Sequence, residues 1–267
     1  MSRPVSILKA HAPVDKHGAP AHRREVPAVR RSSALLWLLA RHPEGLSLSR
    51  IAREIDTLTS TCLHILRELA AARLVAYDPN AKLYRLGNGI LSLARELTKQ
   101  NPFVQLAQPH LNKLSRELEV GASAQERDGD DDMLVVAAAS VMPGDMVSAG
   151  GRTPLLTSAS GRVIAAYGGL TDEQLRERFA RLRWQDPPDI ETWLADVRAT
   201  KGHRHATDEG RFRKGITAIA CGIFDADGSV GRTISVTVVS AQLDPQRRQL
   251  LIDATLQAGA DINASLR

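Results

Sequence analysis

Residues 47–69 have the sequence SLSRIAREIDTLTSTCLHILREL, and this stretch decides the fold of the first part of the chain. Its apolar residues recur at helical spacing in two groups, which are Leu48, Ile51, Ala52 and Ile55, then Cys62, Leu63, Leu66 and Leu69. Ser47 precedes the first group and is a residue type favoured at the N-cap of a helix. The pattern therefore predicts two short helices joined by a tight connection at residues 56–58.

The segments on either side extend this unit. Residues 29–40 predict a helix with Val29, Leu35, Leu36 and Leu39 near 3.6-residue spacing, and it ends before Pro43 and Gly45, two strong helix breakers. Two short apolar runs, residues 74–77 and 83–86, surround a turn at Asp78-Pro79-Asn80 and predict a β-hairpin. Three helices followed by a hairpin are the layout of a winged helix-turn-helix, so we predict this fold for residues 29–88.

The third helix has a small polar outward face, which suits entry into the major groove of duplex DNA. Lys82 and Arg85 on the hairpin would then lie over the sugar-phosphate backbone. The candidate DNA contacts are Ser47, Thr59, Ser60, Thr61, His64, Arg67, Lys82 and Arg85. The alternative is a helical packing module in which the hydroxyls only cap helices and Lys82 is a solvated charge.

Charge is distributed unevenly along the chain. The formal net charge is +5 over 267 residues, but residues 1–88 hold 14 basic and 7 acidic side chains, and the rest is slightly acidic. We interpret residues 1–28 as a flexible basic arm, and the split predicts a head that binds a polyanion. The ten aromatic residues disfavour the stacking of single-stranded bases.

The cysteines and the hydropathy pattern indicate the cellular compartment. The two cysteines, Cys62 and Cys221, lie far apart and suggest no disulfide framework, which fits a reducing cytoplasm. No apolar run approaches the roughly 18 residues of a membrane span. We therefore expect a cytoplasmic protein without a membrane partner.

The remaining chain is predicted to contain a linker helix and a second domain. Residues 89–100 form an amphipathic helix whose apolar stripe packs on the head or on a partner chain, and symmetric dimers are common among duplex-DNA readers. Residues 101–267 mix hairpins with helices, which predicts an α+β effector domain around an antiparallel sheet. In the last helix, we expect an inward face made of Leu250, Leu251, Ala254, Leu256 and Ile262.

Two places in this second domain could bind a ligand. Residues 157–161 are small, largely hydroxyl-bearing and precede an apolar helix, so they could receive a carboxylate or simply start the helix. His203, His205 and Asp208 could bind a metal if they lay on one face of a strand, or they could be ordinary surface residues. No coherent catalytic set or cofactor motif is apparent, so we predict neither an enzyme nor a cofactor.

Several motifs in order resemble the IclR-type transcriptional regulators, over about residues 29–266. The motifs are residues 48–55, 60–69 and 83–87 in the head, then 151–155, Ser160-Gly161, 215–220 and 224–228. The resemblance implies a winged helix-turn-helix, a linker helix used in dimerisation and a GAF-like domain that binds small molecules, often organic or aromatic acids. Where many members have Lys-Ser-Thr and a later Arg, this chain has Thr59-Ser60-Thr61 and His64.

The resemblance also implies an effector pocket. Its residues in this chain would be Ala159, Ser160, Asp208, Ala218, Ser235 and Thr237. Many members have a cysteine where Ala218 stands, which suggests a different or more apolar ligand. Ser235 and Thr237 alternate along one predicted strand and so face the same side.

We therefore expect a dimeric or tetrameric regulator whose affinity for double-stranded operator DNA is controlled by a small molecule, in particular a carboxylate. Two other hypotheses are an enzyme that processes a small acid and has a DNA-binding head, and a nonspecific nucleic-acid-binding protein.

Overall fold

The computed structural model describes residues 26–141 and 148–266, which form two compact units. The first unit ends at Leu97 and the second begins at Thr98. The predicted basic arm, residues 1–28, lies outside the described residues except for its last three. Within the described ranges, no helix combines the length and the hydropathy that crossing a bilayer requires.

The first unit is the predicted winged helix-turn-helix. Its elements are α1 (Pro27–Ala40), α2 (Leu48–Glu54), α3 (Thr59–Ala71), β1 (Val75–Asp78), β2 (Leu83–Leu86) and the start of α4 (Gly89–Gln100). Ser47 caps α2 as expected, since its hydroxyl accepts a hydrogen bond from the Arg50 amide at 3.4 Å.

A small apolar core joins the three helices and the hairpin. Its buried members are Leu35, Leu38, Leu39, Leu46, Ile51, Ala52, Cys62, Leu66 and Val75. Val29, expected on the same stripe of α1, is exposed to 62% instead. The prediction was wrong because Val29 lies six residues before Leu35, which is about one and two-thirds helical turns and turns its side chain away from the core.

The hairpin is antiparallel, with Val75 opposite Leu86 and Asp78 opposite Leu83. Its turn is held by Asp78, whose Oδ1 accepts hydrogen bonds from the Asn80 and Ala81 amides, both at 3.0 Å. These bonds lower the pKa of the Asp78 carboxyl, because they stabilise its charged form.

The helix α4 contains no buried residue. Leu91, Leu93 and Leu97 are each more than 60% exposed. The helix predicted from the amphipathic pattern is therefore present, but these three leucines are not covered in the single chain.

The second unit is built around one six-stranded antiparallel sheet. Its elements are α5 (Pro102–Leu118), β3 (Gly121–Asp128), β4 (Asp132–Ser140), β5 (Arg152–Pro154), α6 (Ser158–Tyr167), α7 (Asp172–Phe179), α8 (Ile190–His203), β6 (His205–Glu209), β7 (Ile216–Phe224), β8 (Val230–Val239) and α9 (Pro245–Leu266). The strand order is β5-β4-β3-β8-β7-β6. This arrangement is the predicted α+β fold.

The two faces of the sheet differ in chemistry because side chains alternate along each strand. On β8, Ile234 and Val236 enter an apolar core with α5 and α9. Ser235 between them is polar, and the neighbouring Ala218 and Ala220 of β7 belong to a second core with α6. The face on the α6 side therefore carries small side chains.

Sequence analysis missed two strands and misplaced one leucine. β5 has only three residues, and the polar residues of β6 hide its alternation. Leu250 is 53% exposed while its neighbour Leu251 is buried. Adjacent residues point about 100° apart on a helix, so both could not face inward.

Candidate nucleic-acid interface and ligand cavity

The exposed face of α3 carries the predicted DNA contacts. Thr59, Ser60, His64 and Arg67 are exposed and Thr61 is half-buried, because Cys62 and Leu66 direct the opposite face into the core. The hydroxyl side chains at the start of α3 and the imidazole one turn later form one narrow polar surface. Side chains of this kind can donate to and accept hydrogen bonds from base edges in the major groove.

Ser47 and Arg85 each have a structural partner. The Ser47 hydroxyl caps α2 and lies 3.3 Å from the Ser49 hydroxyl. Arg85 Nε donates to the Glu44 carbonyl oxygen at 3.1 Å, and its Nη1 lies 3.7 Å from Asp78 Oδ2. These contacts tie the hairpin to the loop before α2, so Arg85 orients the hairpin.

Lys82 lies at the hairpin turn, where it is exposed and has a positive φ of 55°. Its position fits the expected contact with phosphate. Arg50 is not among the predicted contacts, although it is exposed at the start of α2. Nor is Leu58, which is 74% exposed directly before α3. Both were missed because the sequence pattern assigned α2 and the turn only a structural role.

The second unit contains a cavity of about 160 Å³ against the small-residue face of the sheet. A cavity of roughly 150 Å³ accommodates benzene, so this one has room for a ring-sized compound. Its wall consists of Ser123, Gln125, Val135, Ser148, Gly151, Arg152, Thr153, Ser158, Asp208, Phe212, Arg213, Ile216, Ala218, Ser235 and Thr237.

Four of the six predicted effector residues line this cavity, namely Asp208, Ala218, Ser235 and Thr237. The other two, Ala159 and Ser160, are buried in the first turn of α6 behind Ser158, which does line it. Sheet pairing brings the four together. Asp208 is opposite Ala218, and Ala218 is opposite Thr237, so one row of residues crosses three strands.

A second group of residues, on β3 and β8, contributes hydroxyl and amide groups to the cavity wall. Ser235 is opposite Ser123 in the sheet, and their Oγ atoms are 3.4 Å apart. Gln125 Nε2 donates to Ser123 Oγ at 3.2 Å, whereas Gln125 Oε1 is buried without a hydrogen-bond partner. Ser123 and Gln125 were missed in the sequence, although they alternate along β3 as Ser235 and Thr237 do along β8.

Asp208 is the buried acid of the cavity wall, with 2% of its surface exposed. Its Oδ2 accepts a hydrogen bond from the Phe212 amide at 3.2 Å. Its Oδ1 lies 3.5 Å from Arg162 Nη2 but forms no hydrogen bond. Burial raises the pKa of the Asp208 carboxyl above its ordinary value, and the Phe212 amide and the Arg162 guanidinium oppose that rise.

Arg162 is buried in α6 and connects the cavity wall to neighbouring elements. Its Nη1 donates to the Thr207 carbonyl oxygen of β6 at 2.5 Å and lies 3.9 Å from Asp196 Oδ2 of α8. Burial lowers the pKa of this arginine, while the charges of Asp208 and Asp196 oppose the change. The guanidinium therefore lies close to two carboxylates, of which only Asp208 lines the cavity.

The metal hypothesis assumed that His203 and His205 lie on one strand, and that geometry is wrong. His203 is the last residue of α8, Arg204 adopts a left-handed cap, and β6 begins at His205. The two imidazole rings stack at 5.8 Å, but Asp208 lies three residues after His205 and so points to the opposite face. Among the residues that the structure describes, no three potential ligands are grouped for a metal.

Comparison with known families agrees with both units. The family model of the IclR helix-turn-helix domain matches residues 28–79, and that of the bacterial transcriptional regulator IclR C-terminal region matches residues 96–264. The chain belongs to the IclR family. This IclR-family protein is a DNA-binding transcriptional regulator, as the sequence resemblance predicted.

Individual relatives of this IclR-family chain are distant but cover most of it. The Pca regulon regulatory protein of Pseudomonas putida is 24% identical over 243 residues, which are 87% of this chain and 81% of that protein. The named relatives are transcriptional regulators, which are not enzymes.

Solved structures share the IclR fold. The crystal structure of an IclR transcriptional regulator from Alicyclobacillus acidocaldarius has a TM-score of 0.79 and 24% identity, and the match covers 90% of this chain and 98% of that chain. An IclR homolog from Microbacterium hydrocarbonoxydans, complexed with 4-hydroxybenzoate, has a TM-score of 0.72 and 18% identity, with coverages of 89% and 99%.

Proposed function

We propose that this regulator changes its affinity for operator DNA when a small organic molecule binds in the cavity of the second unit. The observation that carries the proposal is the cavity of about 160 Å³, whose wall combines small and apolar residues with hydroxyl, amide and charged side chains. Small-molecule sites are typically concave and mostly apolar, with a few placed polar groups. Asp208, Ala218, Ser235 and Thr237 are proposed as effector contacts, with Ala159 and Ser160 supporting the site from behind Ser158.

The wall favours a ligand that has a hydrogen-bond donor. Asp208 Oδ1 and Gln125 Oε1 are both buried acceptors without a hydrogen-bond partner. Buried polar groups are usually satisfied, so an unpaired acceptor in a cavity wall is matched by a donor of the ligand. A carboxylate placed against Asp208 would instead meet a like charge.

A carboxylate of the same ligand has a different place to bind. The N-terminus of α6 reaches the cavity at Ser158. Backbone amides and the positive end of the helix dipole attract an anion at such a position. The proposed effector is therefore a small hydroxy acid, whose hydroxyl faces Asp208 and whose carboxylate faces the start of α6.

We propose that the regulator acts as a dimer or a tetramer in the cytoplasm, with α4 as the dimer contact. Leu93 and Leu97 lie four residues apart on one face of α4, are exposed in the single chain and would be covered by the same residues of a second chain. Such a symmetric contact presents two α3 helices to two half-sites of an operator. Effector binding would favour one arrangement of the chains and so change how well both half-sites are engaged.

The test measures operator affinity with and without matched compounds. A duplex selected from a random pool is labelled, and its binding is followed by fluorescence anisotropy in the presence of 4-hydroxybenzoate, benzoate or 4-hydroxybenzyl alcohol. We expect the hydroxy acid to shift the apparent Kd by about fivefold or more, and the two compounds that lack one group to act more weakly.

Two variants complete this test. Asp208→Asn should reduce the advantage of the hydroxy acid over benzoate, whereas Leu250→Ala, an exposed leucine of α9, should leave it unchanged. The proposal fails if none of a panel of small hydroxy acids binds, or if they bind and leave operator affinity unchanged.

A further inference from the structure

Leu58 is the residue directly before the recognition helix α3, and its side chain is 74% exposed. It is the N-cap of α3, with extended backbone angles of φ −64° and ψ 140°, and it makes no side-chain capping hydrogen bond. Among the helices that the structure describes, five begin after a residue whose side chain does accept such a bond, namely Ser47, Asn101, Thr171, Asp189 and Asp244, whereas Val26 before α1 and Thr157 before α6 do not.

Leucine at this position is unfavourable for folding in two independent ways. A leucine N-cap cannot satisfy the free amides of the first turn, which a serine, threonine, asparagine or aspartate would do. Its apolar side chain also gains almost nothing from burial, since most of it stays in water. A residue that is unfavourable both for helix capping and for burial of apolar surface is expected at positions where function requires that residue.

The neighbours of Leu58 show what that function is. Thr59 and Ser60 follow it on the exposed face, and the sequence from Thr59 to Leu66 contains no lysine or arginine. The start of this recognition helix therefore lacks the cations that contact guanine O6 and N7 in a bidentate manner. The exposed side chains at this helix start are a branched apolar group and two hydroxyls.

We propose that Leu58 is a specificity-determining residue that packs against the C5-methyl group of a thymine in each operator half-site. The thymine methyl is the apolar group on the major-groove edge of the base pairs, and apolar side chains recognise it by contact. The inference rests on the DNA-binding function of the family and does not depend on the effector.

The experiment removes the methyl group without changing base pairing. An operator is selected from a random duplex pool, each thymine is replaced in turn by uracil, and the Kd is measured by fluorescence anisotropy. For one thymine in each half-site, we expect the replacement to weaken binding by about fourfold, which corresponds to the free energy of burying one methyl group. For Leu58→Ala, the thymine and uracil operators should bind equally.

Two controls separate this role from folding. Leu250→Ala removes another exposed leucine, on α9, and should retain the full penalty for uracil. Leu58→Ser introduces an N-cap, so its melting temperature should be equal to or above that of the wild type while the thymine preference disappears. A purely structural leucine would lose stability and thymine preference together.

Each outcome decides the proposal. Insensitivity of the wild type to uracil at every thymine would overturn it, as would an undiminished penalty in Leu58→Ala. Failure to select any preferred duplex would contradict sequence-specific DNA binding itself, which is a different result from a selected operator that ignores the methyl group.

Discussion

Arg162 Nη2 lies 3.5 Å from Asp208 Oδ1, and both side chains are almost completely buried between α6 and β6. One partner lines the cavity and the other does not, so the pair connects the ligand site to the helix layer. A buried charge without its partner is far less favourable than the pair, because the lost attraction leaves the desolvation penalty uncompensated. The pair is therefore a point at which a substitution affects both stability and the cavity.

Arg162→Met should lower the free energy of unfolding by about 3–5 kcal/mol, because it leaves Asp208 buried and unpaired. Urea denaturation followed by circular dichroism measures this change. The double variant Arg162→Met with Asp208→Leu replaces both charges by apolar groups and should recover most of the loss. A double variant as unstable as the single one would show that Arg162 acts through Thr207 and Asp196, and not through Asp208.

The pH dependence of stability should reveal the ionisation of Asp208. Burial raises its pKa in the folded state, so the folded protein binds the proton more tightly than the unfolded chain. Its contribution to stability therefore decreases as the pH rises from the ordinary aspartate value of about 3.9 through the raised value. Arg162, Arg211 and Glu209 are the charged groups that act on it.

Asp208→Asn removes this titration. Melting temperatures of the wild type and the variant, measured between pH 4 and pH 7, should change in favour of the asparagine variant as the pH rises. A constant difference between the two proteins across this range would contradict the raised pKa.

The sequence predicted the small polar face of the cavity from the alternation of Ser235 and Thr237, because strand periodicity is a local property. It could not predict β6 in the same way. Asp208 is buried in that strand only because Arg162 approaches it from α6, about 46 residues earlier in the chain. A carboxylate surrounded by polar neighbours has the pattern of a loop until its distant partner is known.

In the first unit, too, the sequence predicted what depends on one helix and missed a contact between distant segments. The spacing of Cys62 and Leu66 was sufficient to predict which face of α3 is exposed, since that depends on the helix alone. The contact of Arg85 with the Glu44 carbonyl oxygen joins segments 41 residues apart, so the sequence left Arg85 as a free cation on the hairpin.

α9 packs unusually closely on β7 at Gly259 and Cys221. A Cβ atom added to Gly259 would lie 2.5 Å from Cys221 Sγ, and that sulfur also donates a hydrogen bond to the Thr255 carbonyl oxygen at 3.2 Å. Gly259→Ala should therefore lower the free energy of unfolding by about 1–3 kcal/mol through overpacking. Cys221→Ala removes the obstructing sulfur, so the double variant should be more stable than the sum of the two single losses predicts. Additive losses, measured by urea denaturation, would mean that the helix moves away from the strand instead.

Lys82 and His64 should affect DNA binding in different ways, because we propose a phosphate contact for Lys82 and a base contact for His64. Lys82→Ala should weaken binding to all duplexes alike and lower the slope of log K against log salt by about one unit, as expected for the loss of one phosphate contact. His64→Ala should instead change which bases are preferred in the half-site, with little change in the salt slope.

Anisotropy titrations at several salt concentrations, on the selected operator and on a scrambled duplex, distinguish the effects of the two variants. A sequence-selective effect of Lys82→Ala would place the hairpin against base edges, and an unchanged preference in His64→Ala would remove the imidazole from the contacts that set specificity.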